Sequence, residues 1–283
     1  MAEVNDLNTI GGIALFQGLS REHLAQLSAL LRRKTFPAGA TFITAEQPGE
    51  AVYVIVAGAV KVYIDDADGN EVIFAILVAG EVVGEMSLLD CASRSANAVT
   101  LEETTVYWMD RASFQRCLNS MPAIQRNLTR LLCERLRMAN ARIQSLALQD
   151  VEGRVAHQLL VLAENYGRAN ANGEVLIPFR LTQSDLASLV GATRVRVNQV
   201  IAAYKQRGYI SVDQQYWITI RNQDVLSKRA HRPLRNPDGQ ARAGDHKVEP
   251  QLFEAGVPDL TASVSPSRYV IEPCQGIILP HQS

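Results

Sequence analysis

No stretch of eighteen consecutive apolar residues occurs in the chain, so no membrane-spanning helix is expected. The four cysteines, Cys91, Cys117, Cys133 and Cys274, are scattered, with no Cys-x-x-Cys step and no Cys/His grouping. No metal or haem site is therefore expected, and Cys91 reads as a buried, inert thiol. Charge of one sign is also lacking. A net charge of −1 withholds the overall basic signature of many nucleic-acid-binding proteins. The five histidines, His23, His157, His231, His246 and His281, lie far apart, and neither a Walker loop nor a nucleophile–base signature accompanies them. An enzyme is not expected on those grounds. The opening Met1-Ala2-Glu3-Val4-Asn5-Asp6 has no basic leader region, which points to the cytoplasm. A length of 283 residues at 47% hydrophobic content suits two globular units.

The most informative segment is Gly84-Glu85-Met86-Ser87-Leu88, followed after five residues by Arg94-Ser95-Ala96. Arg94 offers a fixed fork of donors for phosphate oxygens. Ser87, Ser95 and the backbone N–H groups around Met86 and Ala96 can complete an anion nest. Glu85 only accepts when ionised, so it fits a sugar hydroxyl and repels a second phosphate. One phosphodiester and one free ribose hydroxyl satisfy that inventory. Ahead of the cassette run short apolar segments, 41–43, 51–56, 60–64 and 72–77, with Gly39, Gly49, Gly58, Gly69 and Gly80 between them. Asp68-Gly69 is a strong hairpin signal. Many short strands with glycine corners predict a barrel or jelly roll over about 33–110.

Helices are predicted at 21–31 with Ser20 as N-cap, at 111–118, and in one long run from Pro122 to about Leu148. Leu128, Leu132, Leu136, Ala139, Ile143 and Leu146 form a stripe on that run, which suits either a coiled-coil seam or packing on the chain's own roll. After a hinge near 148–150, a helix at 151–166 has a buried face, and a strand follows at 175–179. Residues 181–200 then have helix-turn-helix spacing. Thr182 caps the first helix, Gly191 makes the turn and Thr193 caps the second. The second helix presents Arg194, Val195, Asn198 and Gln199, with Arg196 nearby, and Thr182 and Gln183 stand where phosphates would pass. Arg194 suits guanine and Gln199 suits adenine. Segments 209–212 and 216–220 read as a wing. From Leu181 to His231 seven Lys/Arg face three Asp, a local charge of +4 that agrees with DNA binding.

At the cassette and at the helix-turn-helix the chain resembles the CRP/FNR superfamily of bacterial transcription regulators, closest to its cyclic-AMP receptor branch, over about residues 10 to 225. The resemblance implies an α+β architecture. Residues 1–148 would form a cyclic-nucleotide-binding sensor domain with a dimerisation helix at about 122–148, and 149–231 a winged helix-turn-helix. Residues 232–283 lie outside it, and 231–250 reads as disordered on composition. It further implies a homodimer on a palindromic double-stranded operator, contact with RNA polymerase, and cAMP as effector with cGMP as the alternative. Gly84, Glu85, Ser87, Arg94 and Ser95 match the family's sugar–phosphate cassette, and Arg135 matches a long-helix arginine near the pocket. The family's Thr-Ser base-contacting pair is replaced by Ala139 and Asn140, the second position being supplied by the other subunit. The reading helix also departs, with Val195 for the usual Glu and Gln199 for the usual second Arg. The N-terminal cysteines of the iron–sulfur branch are absent. A regulator answering another effector, or none, is the competing reading.

Overall fold

The computed structural model describes residues 7–67 and 69–230. The expectations for the tail and for Asp68 lie outside the described residues. The chain begins with α1 (Leu7–Gly12), a single 3-10 turn (Ala14–Phe16) and α2 (Arg21–Leu30). Ser20 caps α2 as expected, its side chain accepting from His23 N at 3.2 Å.

Eight strands follow: β1 (Arg32–Phe36), β2 (Thr41–Ile43), β3 (Ala51–Ala57), β4 (Ala59–Asp65), β5 (Glu71–Val78), β6 (Val82–Val83), β7 (Asn97–Thr100) and β8 (Thr104–Asp110). They form two antiparallel sheets in the orders β1-β8-β3-β6 and β2-β7-β4-β5. The one-turn helix α3 (Met86–Leu89) lies between β6 and β7, so the cassette spans a crossing between the sheets. Strand β3 is buried on both faces, which accounts for its unbroken apolar run. Ile55 joins Val60, Leu77 and Val106 between the sheets, while Val52 and Val54 face a second cluster with Leu27, Phe114 and Ile124. Alternate side chains on a strand point to opposite faces, so both sets are satisfied at once.

Helices α4 (Arg111–Ser120) and α5 (Pro122–Leu148) complete this half, with Pro122 in the first turn of α5. The long-helix stripe divides in two. Ile124 and Leu128 are buried against the roll, and Asn127 Nδ2 donates to Leu15 O at 3.1 Å and Gln17 O at 2.8 Å. Leu136, Met138, Ile143, Leu146 and Leu148 are exposed. Packing on the chain's own roll therefore holds over the first part of the helix, and the later stripe positions are exposed.

The second half contains α6 (Val151–Tyr166), β9 (Arg168–Ala169), β10 (Val175–Ile177), α7 (Gln183–Val190), α8 (Arg194–Gln206), β11 (Ile210–Val212), β12 (Ile218–Ile220) and α9 (Gln223–Ala230). Asp150 caps α6 by accepting from Gly153 N at 2.7 Å. The anticipated strand pair is present, but within a four-stranded sheet of order β11-β12-β10-β9. Helix α9 was not anticipated from the sequence. Its Leu226 and Ala230 are buried in a core with Val155, Leu159, Val197 and Tyr204. Ala59, Ile73 and Ile76 of the roll belong to that same core, so the halves share apolar contact.

Between α7 and α8, Gly191 has φ +62°. An alanine there would be left-handed, and its Cβ would lie 3.0 Å from Leu146 Cδ2. Gly191→Ala is expected to lower stability by about 1–2 kcal/mol, read from the urea midpoint at unchanged m-value.

Candidate functional site

The cassette is crowded at two glycines that leave no room for a side chain. Gly84 has φ +85°, and a Cβ there would lie 2.6 Å from Arg94 Nη1. A Cβ on Gly49 would meet Ser87 Oγ at 2.2 Å. Both glycines are needed for close approach, and only Gly84 also needs its left-handed angle. Arg111, at the start of α4, closes the cassette from below. It donates to Gly49 O through Nε at 3.0 Å and Nη2 at 2.6 Å, and to Ser87 O at 3.1 Å.

Within this frame Arg94 is buried, donating through Nη1 to Gly84 O at 2.5 Å and Ser87 Oγ at 2.9 Å, and through Nη2 to Ala51 O at 2.5 Å. Three of its five N–H groups thus bond the cassette itself, two to backbone carbonyls and one to the Ser87 hydroxyl, which leaves two. Burial pulls the guanidinium below the usual arginine value, and nearby Tyr53, Glu85 and Glu50 oppose that pull. Arginine stays charged throughout.

Glu85 is 1% exposed. Its Oε1 is paired with Arg135 Nη1, and Arg135 Nη2 donates to Val82 O, so the long helix is pinned to the cassette. The other oxygen, Oε2, is buried with no hydrogen-bond partner. A buried acceptor of this kind is rare in a folded protein and calls for an explanation. Glu81 Oε2 accepts from Val78 N at 2.7 Å; burial raises its carboxyl above the usual range despite that bond, a hydrogen bond with Tyr166 and nearby Arg135.

Glu85 and Arg94 border one cavity of about 1500 Å³, together with Gly84, Met86, Ser87, Ser95 and Ala96. The β4–β5 hairpin, α5 and the facing parts of α6 and α7 form its other walls. Arg135 and Ala139 border it; Asn140 is exposed and does not. Ser95 is exposed and Met86 half-exposed, while Ser87 is buried. Cys91 corrects the sequence reading. It is exposed with φ +59°, because the loop after α3 turns it away from the core.

At the reading end, Thr182 and Asp185 form a reciprocal capping box. Thr182 Oγ1 accepts from Asp185 N at 3.1 Å and lies 2.6 Å from Asp185 Oδ2. Its hydroxyl proton is thereby committed to Asp185. Thr193 caps α8, accepting from Arg196 N at 3.3 Å. Arg194, Val195, Arg196, Asn198 and Gln199 are all exposed, and Arg196 Nη1 donates to Gln199 Oε1 at 3.2 Å. The inner face, Val197, Val200 and Ile201, is buried as expected.

Comparison with known proteins agrees with this division. The model for the cyclic nucleotide-binding domain matches residues 33–121, and that for the Crp-like helix-turn-helix domain matches 153–229. The CRP-like cAMP-activated global transcriptional regulator of Mycobacterium tuberculosis is 34% identical over 216 residues, 76% of this chain and 96% of that protein. The chain belongs to the CRP/FNR family of transcription regulators. The Cyclic AMP receptor protein of Thermus thermophilus is 31% identical over 200 residues, covering 70% of this chain and 88% of its own. Among solved structures FixK2 of Bradyrhizobium japonicum shares the fold, with TM-score 0.62 and 23% identity over 70% of this chain and 96% of that one. As a CRP/FNR member this chain is a cyclic-nucleotide-binding, DNA-binding regulator.

The sequence reading did not single out Arg111, Glu81 or the carbonyls of Ala51 and Val82. Arg111 and Gly49 are 62 residues apart, and Arg94 and Ala51 are 43 apart; no local spacing announces either bond.

The buried pair gives a stability test. Arg135→Met leaves the Glu85 carboxylate without its cation and is expected to cost about 3 kcal/mol. Adding Glu85→Gln should restore at least about 1 kcal/mol, as read in a double-mutant cycle by urea denaturation.

Proposed function

We propose that the chain is a homodimeric transcription regulator whose DNA binding is controlled by cAMP, with cGMP as the alternative effector. The observation that carries the ligand assignment is Glu85, almost wholly buried, with one oxygen held by Arg135 and the other without a partner beside the shared cavity. A ribose 2′-hydroxyl would satisfy that oxygen. Arg94 supplies the positive charge for a single phosphodiester, through the two N–H groups that its bonds to Gly84, Ala51 and Ser87 leave over, with Ser87 and Ser95 beside it. The carboxylate opposes a second phosphate in the same place. The two relatives named above for cAMP support this choice. Ala139 borders the cavity and offers no side-chain hydrogen bond, so the base is recognised there by shape and backbone from this protomer. Asn140 does not border the cavity of its own chain, which agrees with its serving the second pocket of a dimer.

The dimer reading rests on α5. Leu136, Ile143 and Leu146 are apolar, exposed and one helical stripe, the pattern of a coiled-coil seam. A two-fold dimer sets two copies of α8 toward successive turns of a palindromic operator. There Arg194 would read a guanine in each half-site and Val195 would meet a thymine methyl, with Arg196 and Gln199 close by. Thr193 and Gln183 lie at helix starts, where phosphates are bound. RNA polymerase is the expected protein partner of a regulator so placed.

Calorimetry with cAMP and cGMP tests the pocket. The wild type is expected to bind cAMP more tightly than cGMP, and Glu85→Gln to weaken cAMP by about 10- to 100-fold, the worth of a bond to a charged acceptor. Heat with neither nucleotide, or an unchanged affinity in the variant, would refute the assignment. Operator selection tests the reading helix: Arg194→Ala should cost about 1–3 kcal/mol and abolish the preference for one guanine per half-site. Retention of that guanine would remove Arg194 from base recognition.

A further inference from the structure

The turn between β5 and β6 brings a second carboxyl to the wall of the nucleotide cavity. Gly80 N donates to Ile55 O at 2.8 Å, Ile55 N to Glu81 O at 2.9 Å, and Glu81 N to Val78 O at 3.1 Å. The backbone of Glu81 is thereby fastened to β3 and β5. Its half-buried side chain borders the cavity together with Arg135 of α5 and Tyr166 of α6.

The hydroxyl of Tyr166 has a single proton and two partners. It donates to Ile76 O of β5 at 2.9 Å, and it shares a hydrogen bond with the Glu81 carboxyl. While the phenol proton is on Ile76 O, the bond to Glu81 needs a proton from the carboxyl. When Glu81 is ionised, the phenol turns its proton to the carboxylate and Ile76 O loses that donor. Burial and the neighbouring Glu81 raise the phenol above the usual tyrosine value, so it keeps its proton. The proton that comes and goes is the one on Glu81.

The charges of the site decide when it comes. Arg94 and Arg135 are cations and Glu85 is an anion, so an ionised Glu81 balances them before any ligand enters. A phosphodiester then leaves one negative charge in excess, and protonation of Glu81 removes it. Arg135 and Tyr166 are the side chains that act on the Glu81 carboxyl. The other charged groups of the cavity wall have partners of their own. Glu71 is paired with Lys61, which also lies 3.6 Å from Asp185 Oδ1. Arg142 donates to Phe74 O at 3.0 Å and Leu189 O at 2.5 Å, and Arg154 to Gly191 O at 3.2 Å. His157 of α6 and Arg194 of α8 complete the wall.

We propose that Glu81 is a further residue of the nucleotide site, a carboxyl that takes up a proton as the phosphodiester enters, so that proton and nucleotide bind together. This rests on the single-phosphodiester reading of the cavity given above. The sign is fixed by linkage. Burial already holds the free carboxyl above its ordinary range, and a bound anion raises it further. Affinity is therefore highest below the pKa of the free protein, falls as pH rises toward that of the complex, and is level beyond it.

The test is calorimetry of the full-length protein with cAMP between about pH 4.5 and about pH 8, in buffers of different ionisation enthalpy. The wild type is expected to lose about tenfold in affinity across the fall, which is one pK unit of like-charge repulsion. At the midpoint it should take up about half a proton per nucleotide. Glu81→Gln keeps the shape but cannot ionise, so it should bind as the wild type does in acid, with no fall and no uptake. Infrared difference spectra on adding cAMP should show a protonated carboxyl that this variant lacks. Tyr166→Phe removes a donor to the ionised form and should move the fall to higher pH, which decides the matter where Glu81→Gln fails to fold. An unmoved fall there overturns the proposal. So does a fall that survives in Glu81→Gln, which would belong to His157, since histidine ionises in the same range. Wild-type binding without proton uptake also overturns it and leaves the cAMP assignment standing. No heat at any pH refutes that assignment, and the coupling with it.

Discussion

A carboxylate as deeply buried as Glu85 must have a cation or give up its charge, and much of the molecule follows from the cation it has. Arg135 comes from α5, not from the roll, so the ion pair fixes the register of the long helix against the cassette. The same arginine also takes the Val82 carbonyl, which ties it to the strand leading into Gly84. Arg94 and Arg111 then brace the cassette from two other sides by bonding Ala51, Gly84 and Gly49 carbonyls. Three arginines thus hold one acidic residue and a one-turn helix in place before any ligand arrives. That is preorganisation: the desolvation cost of the site is met in folding, and binding need not meet it again.

Much of this was legible in sequence. The glycine-spaced strands, the cassette residues, the long helix from Pro122 to Leu148 and the capped pair around Gly191 all depend on short-range rules of turn, cap and period, and the structure has them at those positions. What was not legible is long-range. Nothing local in Arg142 says that it bonds Phe74 and Leu189, 68 and 47 residues away. Arg94 looked free to serve a ligand because backbone carbonyls, its main partners, have no sequence signature. Cys91 was misread for a related reason: an apolar thiol in a motif suggests burial, but its place after α3 needs a left-handed turn that faces solvent. Helix α9 lacks a strong stripe, with only Leu226 and Ala230 buried, so it could be seen only once its partner α6 was in place.

The division of α5 explains how one helix can serve two roles. Its first three turns are apolar toward the roll and carry Asn127, whose amide reaches one carbonyl within the 3-10 turn and one just after it. Past Arg135 the stripe of Leu136, Ile143 and Leu146 is exposed, with Leu146 beside the Gly191 turn. In the proposed dimer, the point where cover changes from the roll to a second copy is the point where the helix meets the nucleotide cavity. Ligand contact there would act at once on the roll, the seam and the base of the reading domain.

The shared core limits how that action can spread. Ile73 and Ile76 of β5 lie in the same apolar cluster as Leu186, Leu189 and Val190 of α7, so the hairpin and α7 cannot separate without exposing apolar surface. Apolar contact is non-directional and tolerates sliding, whereas the Arg142, Lys61 and Tyr166 bonds each demand one geometry. The apolar patch therefore keeps the halves together, and the polar bonds select which arrangement they take. A motion that slides α7 across Ile73 and Ile76 while exchanging those bonds would cost little burial. The nucleotide cavity, which the hairpin and α7 both border, lies against that interface.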